Sequence, residues 1–85
     1  MIKYQLDCVK AVESDLSQIS KIIRPIVVDA INTLAEEPLP ANARQLLQSG
    51  LFVVRPRDCR VLYAIRGNIV TILAVKTKHR QIANG

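Results

Sequence analysis

The spacing of apolar positions changes along this chain, and each change marks a boundary between elements. In "IKYQLD", Ile2, Tyr4 and Leu6 alternate with Lys3, Gln5 and Asp7, the period of a half-buried strand. From Val9 the period lengthens. Val9, Val12, Leu16 and Ile19 recur at three- and four-residue spacing with Lys10, Glu13, Asp15 and Gln18 between them, which predicts a short amphipathic helix. Ser20 is placed to cap a second helix whose apolar stripe runs through Ile23, Val27, Ala30, Ile31 and Leu34. Pro25 lacks an N–H and disfavours helical angles at Arg24, so this helix is expected to start near Pro25 or to kink there. Pro38 and Pro40 in "EEPLPAN" stop it. Residues 41–50 read as a polar connector anchored by Leu46 and Leu47.

The remainder carries β patterns. "LFVV" predicts one strand, followed by a turn at "RPRD" with Pro56 suited to the turn's second position. "CRVLYAI" predicts the next, and a tight turn at "RGN" leads into "IVTILAVK". The order is β-α-α-β-β-β: an α+β fold in which an antiparallel sheet, built from local hairpins, packs against two N-terminal helices. Residues 1–85 are expected to form a single domain. At this size only ~60–65% of the unfolded surface is buried, so stability is marginal and a partner that covers apolar surface would help.

Composition adds a charge asymmetry. Twelve Lys/Arg against seven Asp/Glu leave a net charge of +5. Residues 1–54 are nearly balanced, whereas residues 55–85 hold Arg55, Arg57, Arg60, Arg66, Lys76, Lys78 and Arg80 against Asp58 alone. Such a balance favours nucleic acid or an acidic protein as partner. The longest apolar run is too short to cross a bilayer and the N-terminus lacks a signal-peptide core, so a cytoplasmic protein without membrane contact is expected. Cys8 and Cys59 are too few and too far apart for a zinc site; they read as buried, reduced thiols, and no cofactor is called for.

Hairpin geometry gathers these cations. With turns near Arg57 and Gly67, Arg60 is expected to lie opposite Ala74 and Val75, with Arg55 across from Cys59 and Arg60. The chain leaving the last strand, "KTKHRQ", then emerges at the same end of the sheet. Arg55, Arg60, Lys76, Lys78, His79 and Arg80 should therefore converge. Arg60 is tied to a packed strand by Val61, Leu62 and Tyr63, and a fixed planar fork suits phosphate better than a loose ammonium. Arg57 and Arg66 sit in turns and read first as solvated, with Arg57, Lys76 and Lys78 as outer phosphate contacts. His79 abuts the cluster, where neighbouring positive charge favours the neutral base. Tyr4 and Tyr63 read as core, and so few aromatics leave no stacking platform for a single strand.

Several stretches together resemble the RelE/ParE toxin superfamily of bacterial type II toxin–antitoxin systems. These are "IKYQL", "SKIIRPIVVDAINTLAEEPLP", "VVRPRDCRVLYAI" and "ILAVKTKHR", with "RDCRVLY" and the strand ending in His-Arg the most specific. The resemblance covers nearly the whole chain. It implies a RelE-type mRNA interferase: a ribosome-dependent, metal-independent endoribonuclease in which the ribose 2′-hydroxyl attacks the adjacent phosphate. Carried over by position, it implies that Arg60 and Arg80 act on the scissile phosphate and that Arg55 serves as a further phosphate contact. It further implies the ribosome and mRNA as partners, and a cognate acidic antitoxin that forms a hetero-oligomer with the toxin. The chain departs from the RelE pattern at Val53, where many members are basic, and at Asn84, near which they place a tyrosine that His79 would replace. Those departures fit the ParE branch, which targets DNA gyrase, and the alternative is an inhibitor of gyrase without nuclease activity.

Overall fold

The computed structural model describes residues 4–46 and 50–77. The elements follow in the order β1 (Gln5–Cys8), α1 (Ala11–Ser17), α2 (Arg24–Thr33), β2 (Arg44–Leu46), β3 (Leu51–Val54), β4 (Cys59–Arg66) and β5 (Ile69–Thr77). The strands form one sheet in the order β1-β5-β4-β3-β2. The β-α-α-β-β-β reading holds, with two additions. The connector contains a short strand, β2, which pairs antiparallel with β3 at the edge. The first strand lies parallel to the last, with Leu6 beside Val70 and Cys8 beside Ile72. The sheet is thus mixed rather than wholly antiparallel.

Both helices cover one face. Val12, Ile19, Val27, Ile31 and Leu34 meet Val54, Cys59, Val61, Tyr63, Val70, Ile72 and Val75 in a single core. The helical stripe behaves as its spacing demands, although Ile22 and Ile26 remain exposed. Arg24 opens α2, directly before Pro25 in the first turn, where a missing N–H costs nothing. Ser20 does not cap α2 itself. Its Oγ accepts a hydrogen bond from the Ile23 N–H at 3.3 Å, in the turn that precedes the helix. Arg24 joins the two helices, its guanidinium donating to the Ile19 carbonyl at 2.8 Å and the Ser17 carbonyl at 3.3 Å. A cation at the end of α1 satisfies carbonyls that the helix leaves open and opposes its dipole.

Tyr63 is fully buried, and its hydroxyl donates to the Pro38 carbonyl at 2.7 Å. That bond fastens the segment after α2 to the central strand and so fixes where β2 can begin. Phe52 stacks on the Tyr63 ring with centroids 5.8 Å apart. Cys59 is buried as expected, but Cys8, the last residue of the edge strand β1, is exposed. Leu46, expected to anchor the connector, is instead 40% exposed on β2, and Leu47 lies outside the described residues.

The pairing of β4 with β5 slips once. Leu62 pairs with Ala74 but Tyr63 pairs with Ile72, leaving Leu73 without a partner as a bulge. Strict alternation would turn Ile72 and Val75 to opposite faces. The extra residue puts both into the core and turns Lys76 to the other side.

Candidate functional site

The face of the sheet that the helices leave open carries the cations. Arg60 is paired directly with Lys76, not with Ala74 or Val75 as simple hairpin counting gave, because the bulge at Leu73 shifts the register. Direct partners in an antiparallel pair point to the same face with Cβ atoms ~4.5–5.5 Å apart. The next row on this face is apolar: Val53 beside Leu62, and Leu62 beside Ala74. Together with Leu46 and Thr77 these residues line an open cavity of about 270 Å³ that has Arg60 and Lys76 at one end. Val53 is only 8% exposed although no helix covers it, since its row neighbours close over it.

Arg60 also lines a second cavity, of about 130 Å³, which it shares with Arg55, Arg57, Asp58 and Cys59. The convergence expected of Arg55 and Arg60 is therefore present, and Arg57 joins them. Arg60 stands between a largely apolar hollow and one lined by arginines and Asp58. Arg66 stays apart, at the far end of β4. Lys78, His79 and Arg80 lie outside the described residues. Among the described residues no group of three or more His, Cys, Asp or Glu is placed to hold a metal ion.

Asp15 is a participant that sequence reasoning passed over as one more polar position on α1. Val75 lies past the last residue of β5 that pairs with β1. Its N–H donates instead to Asp15 Oδ2 at 2.9 Å, while Lys76 Nζ lies 3.4 Å from Oδ1. One carboxylate thus closes the bare edge of β5 and draws Lys76 toward α1. No local pattern foretells a contact between residues 60 positions apart. The apolar floor was legible, since Leu62 has the same parity in "CRVLYAI" as Arg60.

Two groups near the site are held in their neutral forms. Burial pushes the Cys59 thiol up, and the neighbouring Asp58 carboxylate adds to the effect. A thiol so placed is a core group rather than a nucleophile. Burial also pushes the Tyr63 phenol up to about 12. Among the described residues, what remains available on the open face and its turn is fixed positive charge beside an apolar floor. Such a surface can hold an anion.

The family described as "ParE toxin of type II toxin-antitoxin system, parDE" matches residues 9–82. No curated protein matches the chain. Among solved structures, the chain is similar to the toxin–antitoxin complex RelBE2 from Mycobacterium tuberculosis, with 28% identity, 89% of this chain and 99% of that chain covered, and a TM-score of 0.78. It is similar to the archaeal RelE–RelB complex from Pyrococcus horikoshii OT3, with 24% identity, 92% and 98% coverage, and a TM-score of 0.80. It also shares its fold with the chromosomal ParDE system from P. aeruginosa, with 12% identity, 91% and 98% coverage, and a TM-score of 0.74.

Proposed function

The chain belongs to the ParE toxin family of type II toxin–antitoxin systems. From the cations on its open face and its likeness to RelE toxins, we propose that it is a ribosome-dependent endoribonuclease that cuts mRNA and stops translation. The observation that carries this reading is the position of Arg60. It projects from a packed central strand, opposite Lys76, at the junction of the two cavities on the open face. A packed strand fixes where this guanidinium is anchored, within reach of a charge developing on phosphorus at that spot.

The reaction forms a bond from the ribose 2′-oxygen to the adjacent phosphorus and breaks the bond to the 5′-oxygen. A proton leaves the 2′-hydroxyl and another reaches the departing 5′-oxygen. In this reading Arg60 and Arg80 hold the phosphate, Arg55 adds charge from the turn, and His79 moves a proton. Lys76 and Lys78 draw the RNA backbone onto the sheet. The chemistry needs no metal, because fixed cations supply the stabilising charge. The relatives from Mycobacterium tuberculosis and Pyrococcus horikoshii are toxin–antitoxin complexes. A cognate acidic antitoxin accordingly covers the same cationic face and silences it in a hetero-oligomer.

The test is to map RNA ends after incubating the protein with translating ribosomes. Arg60→Ala is expected to lose ~3–4 kcal/mol of transition-state stabilisation, roughly 10²–10³-fold in rate. Cleavage by Arg60→Ala at the wild-type rate would overturn the assignment. A second reading, inhibition of DNA gyrase, is favoured by the apolar floor of Val53, Leu62 and Ala74, which offers a protein partner dry contact surface. Accumulation of cleaved DNA–gyrase complexes with mRNA left intact would establish it instead.

A further inference from the structure

The turn between β3 and β4 holds a residue out of keeping with its backbone. The Cys59 N–H donates to the Pro56 carbonyl at 3.0 Å, closing a four-residue turn whose second residue is Arg57. Arg57 has φ 58°, and it is the one non-glycine residue with positive φ among the described residues. That conformation presses Cβ toward the following carbonyl, and glycine, asparagine or aspartate adopts it at lower cost. Packing does not account for an arginine here, because Arg57 is exposed. Pairing does not account for it either. No hydrogen bond or ion pair within the described residues engages the side chains of Arg55, Arg57 or Arg60. A backbone outlier beside three like charges and a single acid, Asp58, points to a ligand.

We propose that this turn is a phosphate-binding site, in which Arg57 and Arg55 hold a backbone phosphate of single-stranded RNA next to the phosphate that Arg60 engages. The cavity of about 130 Å³ is lined by those three arginines, by Asp58 as its one acid and by the buried Cys59. Planar guanidinium forks match the oxygens of a tetrahedral phosphodiester. The site rests on the ribonuclease reading for its ligand, yet it adds a contact outside the scissile phosphate, so it affects RNA affinity rather than the chemical step.

The experiment compares wild type, Arg57→Gly, Arg57→Asn and Arg57→Lys by fluorescence anisotropy with a labelled single-stranded RNA oligonucleotide across a salt series, with melting temperatures alongside. Glycine and asparagine fit the backbone, so both variants are expected to melt at or above wild type. Both are expected to bind RNA about threefold more weakly or worse, with the slope of log affinity against log salt shallower by ~0.7. Arg57→Lys recovers part of the loss, and the 2′-deoxy oligonucleotide of the same sequence shows an equal loss, since a phosphate contact does not read the 2′-hydroxyl. Unchanged binding or slope in Arg57→Gly, a loss confined to the ribose form, a lower melting temperature in both turn variants, or a wild type that does not bind the oligonucleotide would each overturn the proposal. A wild type that binds RNA through this turn but never cleaves would sink the ribonuclease reading and leave the site standing.

Discussion

Replacing Tyr63 with phenylalanine removes one oxygen atom from the centre of the protein and keeps the ring that stacks on Phe52. The hydroxyl donates to the Pro38 carbonyl at 2.7 Å from a side chain with 0% exposure. Losing such a bond costs ~1 kcal/mol, and somewhat more because Pro38 is half-buried and its carbonyl recovers water only in part. For a domain of this size ~1–1.5 kcal/mol corresponds to a fall in melting temperature of roughly 5–10 °C. The same hydroxyl carries a pH signature. Burial raises the phenol from 10.0 to about 12, so the native state holds that proton more tightly than the unfolded chain. The contribution is whole below pH 10 and drains away as pH rises toward 12. At ~1.36 kcal/mol per pH unit, wild type loses ~1.4 kcal/mol from this group by about pH 11, and the phenylalanine variant loses none of it. Urea denaturation followed by circular dichroism at neutral pH, about pH 9 and about pH 11 reads the difference directly, because the other groups titrate alike in both proteins. The stability gap should stand at ~1–1.5 kcal/mol at neutral pH and close near pH 11. A gap that stays constant across the series would refute the role of burial, and no gap at neutral pH would refute the role of the hydrogen bond.

Asp15→Ala leaves the Val75 N–H without its acceptor and is expected to cost ~1–3 kcal/mol in urea denaturation. Asp15→Asn keeps an acceptor and loses mainly the ion pair with Lys76, whose side chain is 70% exposed, a loss of under ~1 kcal/mol. Equal losses in the two variants would remove Asp15 from its place on the edge of β5. Leu34→Ala opens a cavity where α2 ends against the core, at a residue 1% exposed, and should cost ~2–5 kcal/mol. A fall in melting temperature of less than about 5 °C would contradict that burial.

The helix stripes were legible because an amphipathic period needs only local geometry. Val12, Ile19, Val27, Ile31 and Leu34 recur at helical spacing, and all are buried. The hairpins were legible for a similar reason, since "RPRD" and "RGN" are turn chemistry between β-rich runs, although the first turn closes from Pro56 to Cys59 and puts Arg57, not Pro56, in second place. Strand β2 was not, because Arg44, Gln45 and Leu46 are all exposed and gain their conformation from pairing with β3 rather than from their own pattern. The gathering of Arg55 and Arg60 followed from the hairpin alone. Arg57 was expected as an outer phosphate contact, but its left-handed backbone is invisible in residue type.

What the amino-acid order determined by itself was which faces are apolar, where the chain turns, and that the positive charge crowds its last third. These follow from side-chain type and spacing within a few residues. Only the tertiary structure decided that Lys76, rather than Ala74 or Val75, stands opposite Arg60. That choice lies in the bulge at Leu73, which exists because Ile72 and Val75 both fill the core beneath the helices. It likewise decided that Asp15 closes the edge of β5, since α1 takes over there once β1 has ended at Cys8. Register and edge contacts depend on how distant segments share one interior, and no window of neighbouring residues contains that information.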